Sequence, residues 1–597
     1  MMRAFSFGSG RSPILAVLTG ISFAALASAA PRGLRAQQGG AEADTMPTRP
    51  EVTRADLEAA LEVMGLSYTG SELDTLLARR GRFGNDFSGR GDRRNAYEAI
   101  RSVPLSNADR PALFFHPLPP AEPIADRPPE LAPVPGEVKR PAKLEEVAFW
   151  PIPKLAALLR SGQVTSVELT RMYLARLRRF DPELHAVVTL TDSLALRQAS
   201  RADSDFAAGK VKSLVQGIPF GVKDLYAVPG YPTTWGAKPY EHQVIDETAT
   251  PVGKLEDAGA VLVAKLTSGA LAMGDVWFGG MTRNPWNTEE GSSGSSAGPA
   301  AAVSAGLVPF ALGTETLGSI VSPSTRTGIT GLRPSFGRVS KHGVMALSWT
   351  MDKAGPLCRD ASDCAIVFDV IRGPDPADPS AVGGPFPYRA GTGLAGLRVG
   401  YLKSAFDGER QGGELDRAVL DVLRARGARL VPLELPDLPV NALRIILDAE
   451  AAAAFDTLTR SNRDSLLVRQ TSNAWPNIFR SARFIPAVEY IEANRVRRLL
   501  QERMRDLLKG VDVYVSPAFA GGNLLVTNLT GHPCVAVPDG FRKNGDPASI
   551  TFCGRMYGEA AALEAAAAYQ AATPWDEAHP EAFGGHGRPE ASSGGGG

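Results

Sequence analysis

The chain has 597 residues, 44% of them hydrophobic and 21% charged, so it can bury a large core and does not have the composition of a disordered protein. Its 64 basic and 64 acidic side chains cancel, and no long single-sign block offers an electrostatic footprint, so no nucleic-acid partner is expected. Four cysteines (Cys358, Cys364, Cys534, Cys553) form no CxxC pair and seven histidines form no HExxH spacing, so no disulfide scaffold and no metal site are expected. Oxidation of Cys358 with Cys364 and free buried thiols both remain open.

From the N-terminus, Arg3 and Arg11 precede an apolar run, Pro13 to Leu26, and then Ala27-Ser28-Ala29. This order reads as a signal peptide over residues 1–29, implying a periplasmic or secreted protein, with Leu34-Arg35-Ala36 as a second cleavage site. No later stretch has the 18 or so apolar residues of a membrane span, so the mature chain is expected to have none. Thr53 and Asp56 open a helical pattern with Leu57, Leu61 and Met64 on one face and Gly65 at its end, the start of a helical appendage over 50–115. Recurrent proline makes 116–145 an extended linker.

The main body, 146–580, opens on helical patterns at Leu155 to Leu159 and behind a capping box at Thr165-Ser166-Val167-Glu168. Short apolar runs predict strands at Val187–Leu190, Ile218–Val222, Val261–Ala264 and Leu307–Leu312, and further ones at Leu397–Tyr401, Val513–Val515, Val535–Val537 and Ile550–Phe552. Their alternation with helical segments implies an α/β class with a sheet buried on both faces. An Ala-rich closing helix spans Glu559–Ala572, and 584–597 is a low-complexity tail expected to be disordered.

The densest run of small and hydroxyl residues is Gly291-Ser292-Ser293-Gly294-Ser295-Ser296-Ala297-Gly298, followed by an Ala-rich helix from Pro299 to Ala305. A phosphate loop would end in Lys-Ser/Thr, where Pro299-Ala300 stands. A flexible linker would not be flanked so closely by strand and helix signals, and a tight structural turn is the remaining mundane reading. Gly294 to Gly298 also matches G-x-S-x-G, the nucleophile elbow of α/β-hydrolases, with Ser296 as nucleophile and His342 or His532 downstream. That motif must follow a strand, and Asn284 to Glu290 reads as turn-forming.

Gly294-Ser295-Ser296-Ala297-Gly298 through Gly313-Thr314-Glu315-Thr316-Leu317-Gly318-Ser319 resembles the glycine- and serine-rich signature of the amidase signature family. Gly217-Ile218-Pro219-Phe220-Gly221-Val222-Lys223-Asp224 resembles the family strand that ends in a catalytic lysine. Gly331 to Ser340 and Asn528-Leu529-Thr530-Gly531-His532-Pro533 resemble later family segments. The resemblance runs from about 150 to 360 and from 510 to 580; little is recognisable over 375–500, and the first 145 residues lie outside it.

The resemblance implies an amidase signature fold, a large mixed β-sheet flanked by helices, with the N-terminal helical appendage added. It implies an amidase that cleaves an amide C–N bond of a small-molecule substrate through an acyl-serine, without metal or organic cofactor. Ser319 would be the nucleophile, Ser295 a bridging serine on a cis peptide, and Lys223 the base, with Ser295 lying 24 residues before Ser319. The amides of Thr316, Leu317 and Gly318 through Ser319 would form the oxyanion hole, and Gly269 would face the substrate. A homodimer is compatible with the appendage.

Physically, a serine hydroxyl needs a base to take its proton, and lysine serves only when burial keeps it neutral. Glycine around Ser319 lets successive N–H groups turn toward one point. Taken singly, a lysine after a strand or a serine in a turn is ordinarily structural, and His532 reads as structural too. Departures from the family pattern are Ala297 for glycine, Pro299 for serine, Glu315 for aspartate, Leu317 for glycine, Val321 for arginine and Ala270 for an acid. The missing arginine argues against carboxylate-bearing substrates such as those of the glutamine-hydrolysing component of the tRNA amidotransferase. The rival readings are an esterase using Ser296 with a histidine, and a catalytically silent binding protein of the same fold.

Overall fold

The computed structural model describes residues 53–63, 70, 73, 107, 115–408 and 412–589. The expected signal peptide, most of the helical appendage and residues 590–597 lie outside the described residues. Within the appendage, Arg54–Val63 is helical. Its start follows from reciprocal capping: Asp56 N donates to Thr53 Oγ1 at 3.2 Å and Thr53 N to Asp56 Oδ2 at 2.8 Å.

The strands in chain order are β1 (Val187–Leu190), β2 (Pro219–Lys223), β3 (Val261–Leu266), the pairs β4 (Val276–Trp277) with β5 (Gly280–Met281) and β6 (Arg283–Asn284) with β7 (Asn287–Gly291), then β8 (Phe310–Glu315), β9 (Thr330–Arg333), β10 (Lys353–Cys358), β11 (Arg398–Leu402), β12 (Arg429–Leu433), β13 (Val513–Pro517), β14 (Cys534–Phe541) and β15 (Pro547–Gly554). Eleven of them form one mixed sheet in the order β1-β3-β2-β8-β10-β9-β14-β15-β13-β11-β12. The β3-β2-β8 group is parallel, as is β13-β11-β12, and antiparallel pairs join the two groups. Apolar strand residues such as Phe220, Val222, Phe310 and Leu312 are fully buried, as a sheet covered on both faces requires.

The helix Ser166–Leu184 starts where expected, with Thr165 Oγ1 accepting from Glu168 N at 3.1 Å and Thr165 N donating to Glu168 Oε2 at 2.8 Å. The helix Ala297–Ser304 is buried on every side, which its alanines permit because they bring no polar group inside. Gly298 opens it because a Cβ there would stand 2.3 Å from Thr267 N and 2.4 Å from Ala186 O.

Three sequence expectations change. The stretch before the Gly/Ser run is not merely a turn: β6 and β7 pair there in a hairpin, separate from the main sheet. Residues 375–500, where little of the family is recognisable in the sequence, hold or begin four helices longer than seven residues: Gly413–Ala425, Ile445–Ala454, Trp475–Ala482 and Ala487–Leu507. The tail is placed further than expected, because Phe583 is buried, Arg176 Nη2 donates to Phe583 O at 2.7 Å, and Gly587 N returns to His579 O at 2.9 Å. Between 115 and 143 the chain is extended and free of helix, and Glu130 pairs with the backbone on both sides of Arg389 (Glu130 N to Tyr388 O 2.7 Å, Ala390 N to Glu130 O 2.8 Å).

Candidate active site

Lys223 ends β2, and β8 runs parallel beside it with Val222 opposite Leu312, so Lys223 and Thr314 emerge together at the carboxyl ends of two neighbouring strands. That end is where open α/β sheets place their sites. Lys223 is wholly buried; its Nζ donates to Ser295 Oγ at 2.8 Å and to Thr314 Oγ1 at 2.9 Å. Among the described residues no carboxylate pairs with it. Burial pushes its amine well below the ordinary lysine value of 10.5, against the smaller opposing pull of the Asp352 and Glu315 charges.

Ser295 follows a cis Gly294–Ser295 peptide and is 1% exposed. The next residue ties this turn to the other serine, since Ser296 N donates to Ser319 O at 3.1 Å. Ser296 Oγ is fully committed: it donates to Thr314 O and accepts from Thr314 N, each at 3.1 Å. It therefore ties the Gly/Ser turn to strand β8, and the Ser296 elbow reading fails on geometry. The candidate histidines fare no better. His532 is buried, its imidazole pushed down to about 3 by burial and the Arg333 charge, with Nδ1 2.7 Å from Thr530 Oγ1. His342 pairs with Glu247 at 3.5 Å.

Between Glu315 and Val321 the chain turns sharply, with Gly318 at φ +89° in the left-handed region. A Cβ at Gly318 would also press on Ser322 Oγ at 2.8 Å. Among the described residues, none of the N–H groups of Thr316, Leu317, Gly318 and Ser319 donates a hydrogen bond. The following two are taken: Ile320 N and Val321 N donate to Glu315 Oε2 at 2.8 and 2.9 Å. Glu315 Oε1 in turn accepts from Arg333 Nη1 and Asn528 Nδ2, both at 2.7 Å. Burial alone would raise this carboxyl, but Arg333, Lys353 and the Val321 amide overcome it and hold Glu315 at about 2. On the other side of the turn, Thr316 Oγ1 donates to Asp352 Oδ1 at 2.6 Å, while Asp352 Oδ2 accepts from Leu347 N and Ser348 N.

The structure thus brings Lys223, Ser295, Thr314 and, through Ser296, Ser319 into one neighbourhood. Packing alone requires a glycine at position 269. A Cβ there would lie 2.1 Å from Gly274 O, and one at Gly294 would lie 2.0 Å from the same oxygen, so both glycines let backbone pack on backbone. Leu317 is half-buried against the cluster that includes Val526 and Leu529. Sequence reasoning missed Thr314, although it stands inside the recognised motif, and missed Asp352, which nothing in its local sequence marks. The buried pair Lys265–Asp224 (2.8 Å) was also missed; it fixes the residue after Lys223, whose Oδ2 accepts from Thr234 N at 2.8 Å.

A cleft of about 1130 Å³ reaches this neighbourhood, its lining including Thr314, Thr316 and Asp352 together with Trp235, Tyr240 and Phe455. Lys223 touches that lining through Thr314; Ser319, 7% exposed, adjoins it through the turn beginning at Thr316. Trp235 sits at φ +54°, an unfavourable conformation for a bulky residue. It is held there by Trp235 N to Asp224 O (3.1 Å) and Leu271 N to Trp235 O (2.9 Å).

The site thus sets a buried lysine, hydrogen-bonded to a serine, beside a turn of unpaired amides on a mixed eleven-stranded sheet. The amidase family model matches residues 168–525, and the chain belongs to the amidase signature family of amide-hydrolysing and amidotransferase enzymes. It is 37% identical over 474 residues to a glutamyl-tRNA(Gln) amidotransferase subunit from Roseiflexus sp. (strain RS-1), covering 71% of this chain and 96% of that one. The native peptide amidase of Stenotrophomonas maltophilia superposes with a TM-score of 0.63 at 28% identity, over 71% of this chain and 97% of that one. An amidase family protein from Bacillus anthracis str. Ames gives 0.66 at 26% identity, over 73% and 93%. Among the described residues no helix is long and apolar enough to cross a membrane.

Proposed function

We propose that the protein is an amidase working by a Ser-Ser-Lys triad, with Ser319 as nucleophile, Ser295 as proton bridge and Lys223 as base. The observation that carries this reading is the Lys223 amine, buried, without an ion-pair partner among the described residues and 2.8 Å from Ser295 Oγ. Neutral Lys223 takes the Ser295 proton as Ser295 takes that of Ser319, and Ser319 Oγ adds to the amide carbonyl carbon. The resulting oxyanion is met by the unpaired amides of Thr316, Leu317 and Gly318 with that of Ser319, donors fixed before the reaction begins. As the C–N bond breaks, the proton returns through Ser295 to the leaving amine. Water then attacks the acyl-serine by the same relay, releasing the carboxylic acid and restoring Ser319.

An active-site fluorophosphonate followed by digestion tests the assignment. Label on Ser319, lost in Ser319→Ala together with nearly all amide hydrolysis, is expected. Label on Ser296 would revive the esterase reading, and no label with no hydrolysis would leave a silent binding protein. Export completes the proposal, resting on the charged, apolar and small-residue order of residues 1–29. The intact mass of the protein from the native envelope fraction should lack them; retained Met1 or Met2 would refute export with cleavage.

A further inference from the structure

The family match begins at residue 168, yet the cleft is lined in part by Asn107, Phe115, His116 and Pro117, far upstream of it. Their attachment is specific. Asn107 Nδ2 donates to Ala346 O at 2.8 Å and Asn107 Oδ1 accepts from Ala346 N at 2.7 Å, so one side-chain amide pairs with a backbone residue as a neighbouring strand would. Phe115 stands edge-on to Phe336 (centroids 4.9 Å apart, 87°) and carries the Arg497 guanidinium 3.7 Å from its ring centre. Arg497 is buried and donates to Thr350 Oγ1 and O, each at 2.7 Å, and to Leu529 O at 2.6 Å. Both contacts therefore fasten this segment to the 346–350 stretch, of which Ala346, Leu347 and Trp349 line the cleft.

The remaining lining is rich in large apolar side chains, among them Leu225, Tyr240, Ile245, Leu347, Trp349 and Leu458. At about 1130 Å³ the space slightly exceeds the usual range of small-molecule sites, about 300–1,000 Å³. A compact amide would leave most of it to water. Each further buried methylene is worth about a fourfold factor in binding.

Building on the serine-amidase reading, we propose that Asn107 and Phe115 are specificity-determining residues. With His116 and Pro117 they form one wall of the cleft, and the wall selects amides bearing a large apolar group, an aryl ring or long alkyl chain, over compact ones.

The test compares wild type with Phe115→Ala and Asn107→Ala on an aliphatic series from acetamide to long-chain primary amides and on aryl amides. The rate of Ser319 labelling by a small fluorophosphonate is measured in parallel. Each variant should lose about 10- to 100-fold in kcat/KM on the bulky amides, mainly through KM, with less than about twofold change on acetamide and in labelling. Equal loss on all amides, or no loss on any, would overturn the proposal. So would loss of labelling in both variants, since the segment would then be holding the fold rather than choosing substrate. A wild-type enzyme unlabelled at Ser319 would sink the underlying serine reading instead, an outcome distinct from labelled enzymes with flat selectivity.

Discussion

Replacing Glu315 with glutamine gives a demanding test of the structure, because every partner of that carboxylate is a donor. Arg333 Nη1, Asn528 Nδ2, Ile320 N and Val321 N all point hydrogens at it. The glutamine amide supplies one acceptor atom, and its NH₂ must face donors whichever way it turns. Arg333, wholly buried, is left without its counter-charge. Breaking a buried pair from one side costs about 3–5 kcal/mol, and that is the loss expected for Glu315→Gln at pH 7, read from urea unfolding by tryptophan fluorescence.

The pH dependence gives a second measure of the same quantity. Glu315 lies at about 2 in the folded chain against an ordinary 4.5, so its depressed value stabilises the fold above pH 4.5. That contribution, about 3 kcal/mol at about 1.4 kcal/mol per pH unit, is lost as pH falls from 4.5 toward 2. The variant should lack this part of the acid loss, and Glu315→Gln with Arg333→Met should recover much of the single-variant deficit. A cost below about 1 kcal/mol, or an unchanged acid profile, would refute the reasoning.

Three further outcomes are expected. With Lys223 proposed as the base in its neutral form and burial lowering its value, kcat/KM should rise with pH along a limb below 10.5; Lys223→Ala should abolish the limb and His532→Ala leave it in place, whereas the reverse would sink the lysine mechanism. Thr314→Val removes an oxygen that accepts from the Lys223 ammonium, so activity should fall about 10- to 100-fold and the limb move to lower pH; a shift upward would contradict the 2.9 Å contact. All four cysteines are free and buried, so a thiol reagent should titrate close to none in the native protein and four after denaturation; two missing thiols would reveal a disulfide.

The strands with uninterrupted apolar runs were legible: Val187–Leu190 matches to the residue, and most others differ by one to three positions at an end. Three were not. Thr330–Arg333, Lys353–Cys358 and Arg429–Leu433 carry glycine, lysine, arginine or proline that no strand pattern favours, and the first two are buried because partners elsewhere satisfy those groups. Arg333 is the instructive residue: an arginine at a strand end reads as exposed until Glu315 and the His532 carbonyl are known to meet it. In the candidate site, the nearness of Lys223, Ser295 and Ser319 was legible through the resemblance, but Thr314, Asp352 and Asn107 enter through distant pairings. Spacing along the chain carries no record of such contacts.

Lys223 reaches across 72 residues to Ser295, and Glu315 across 213 to Asn528, while the neighbouring strands β2 and β8 are themselves separated by β3 and two hairpins in the chain. A proteolytic fragment must run from Lys223 to Asn528 to hold both pairs. During synthesis, the serine turn is complete before the β14 and β15 strands and the 523–530 helix that steady it have been made. Ribosome-bound chains released at successive lengths should therefore stay unreactive toward an active-site probe until that last portion arrives, which would make catalytic competence a timestamp for completed folding.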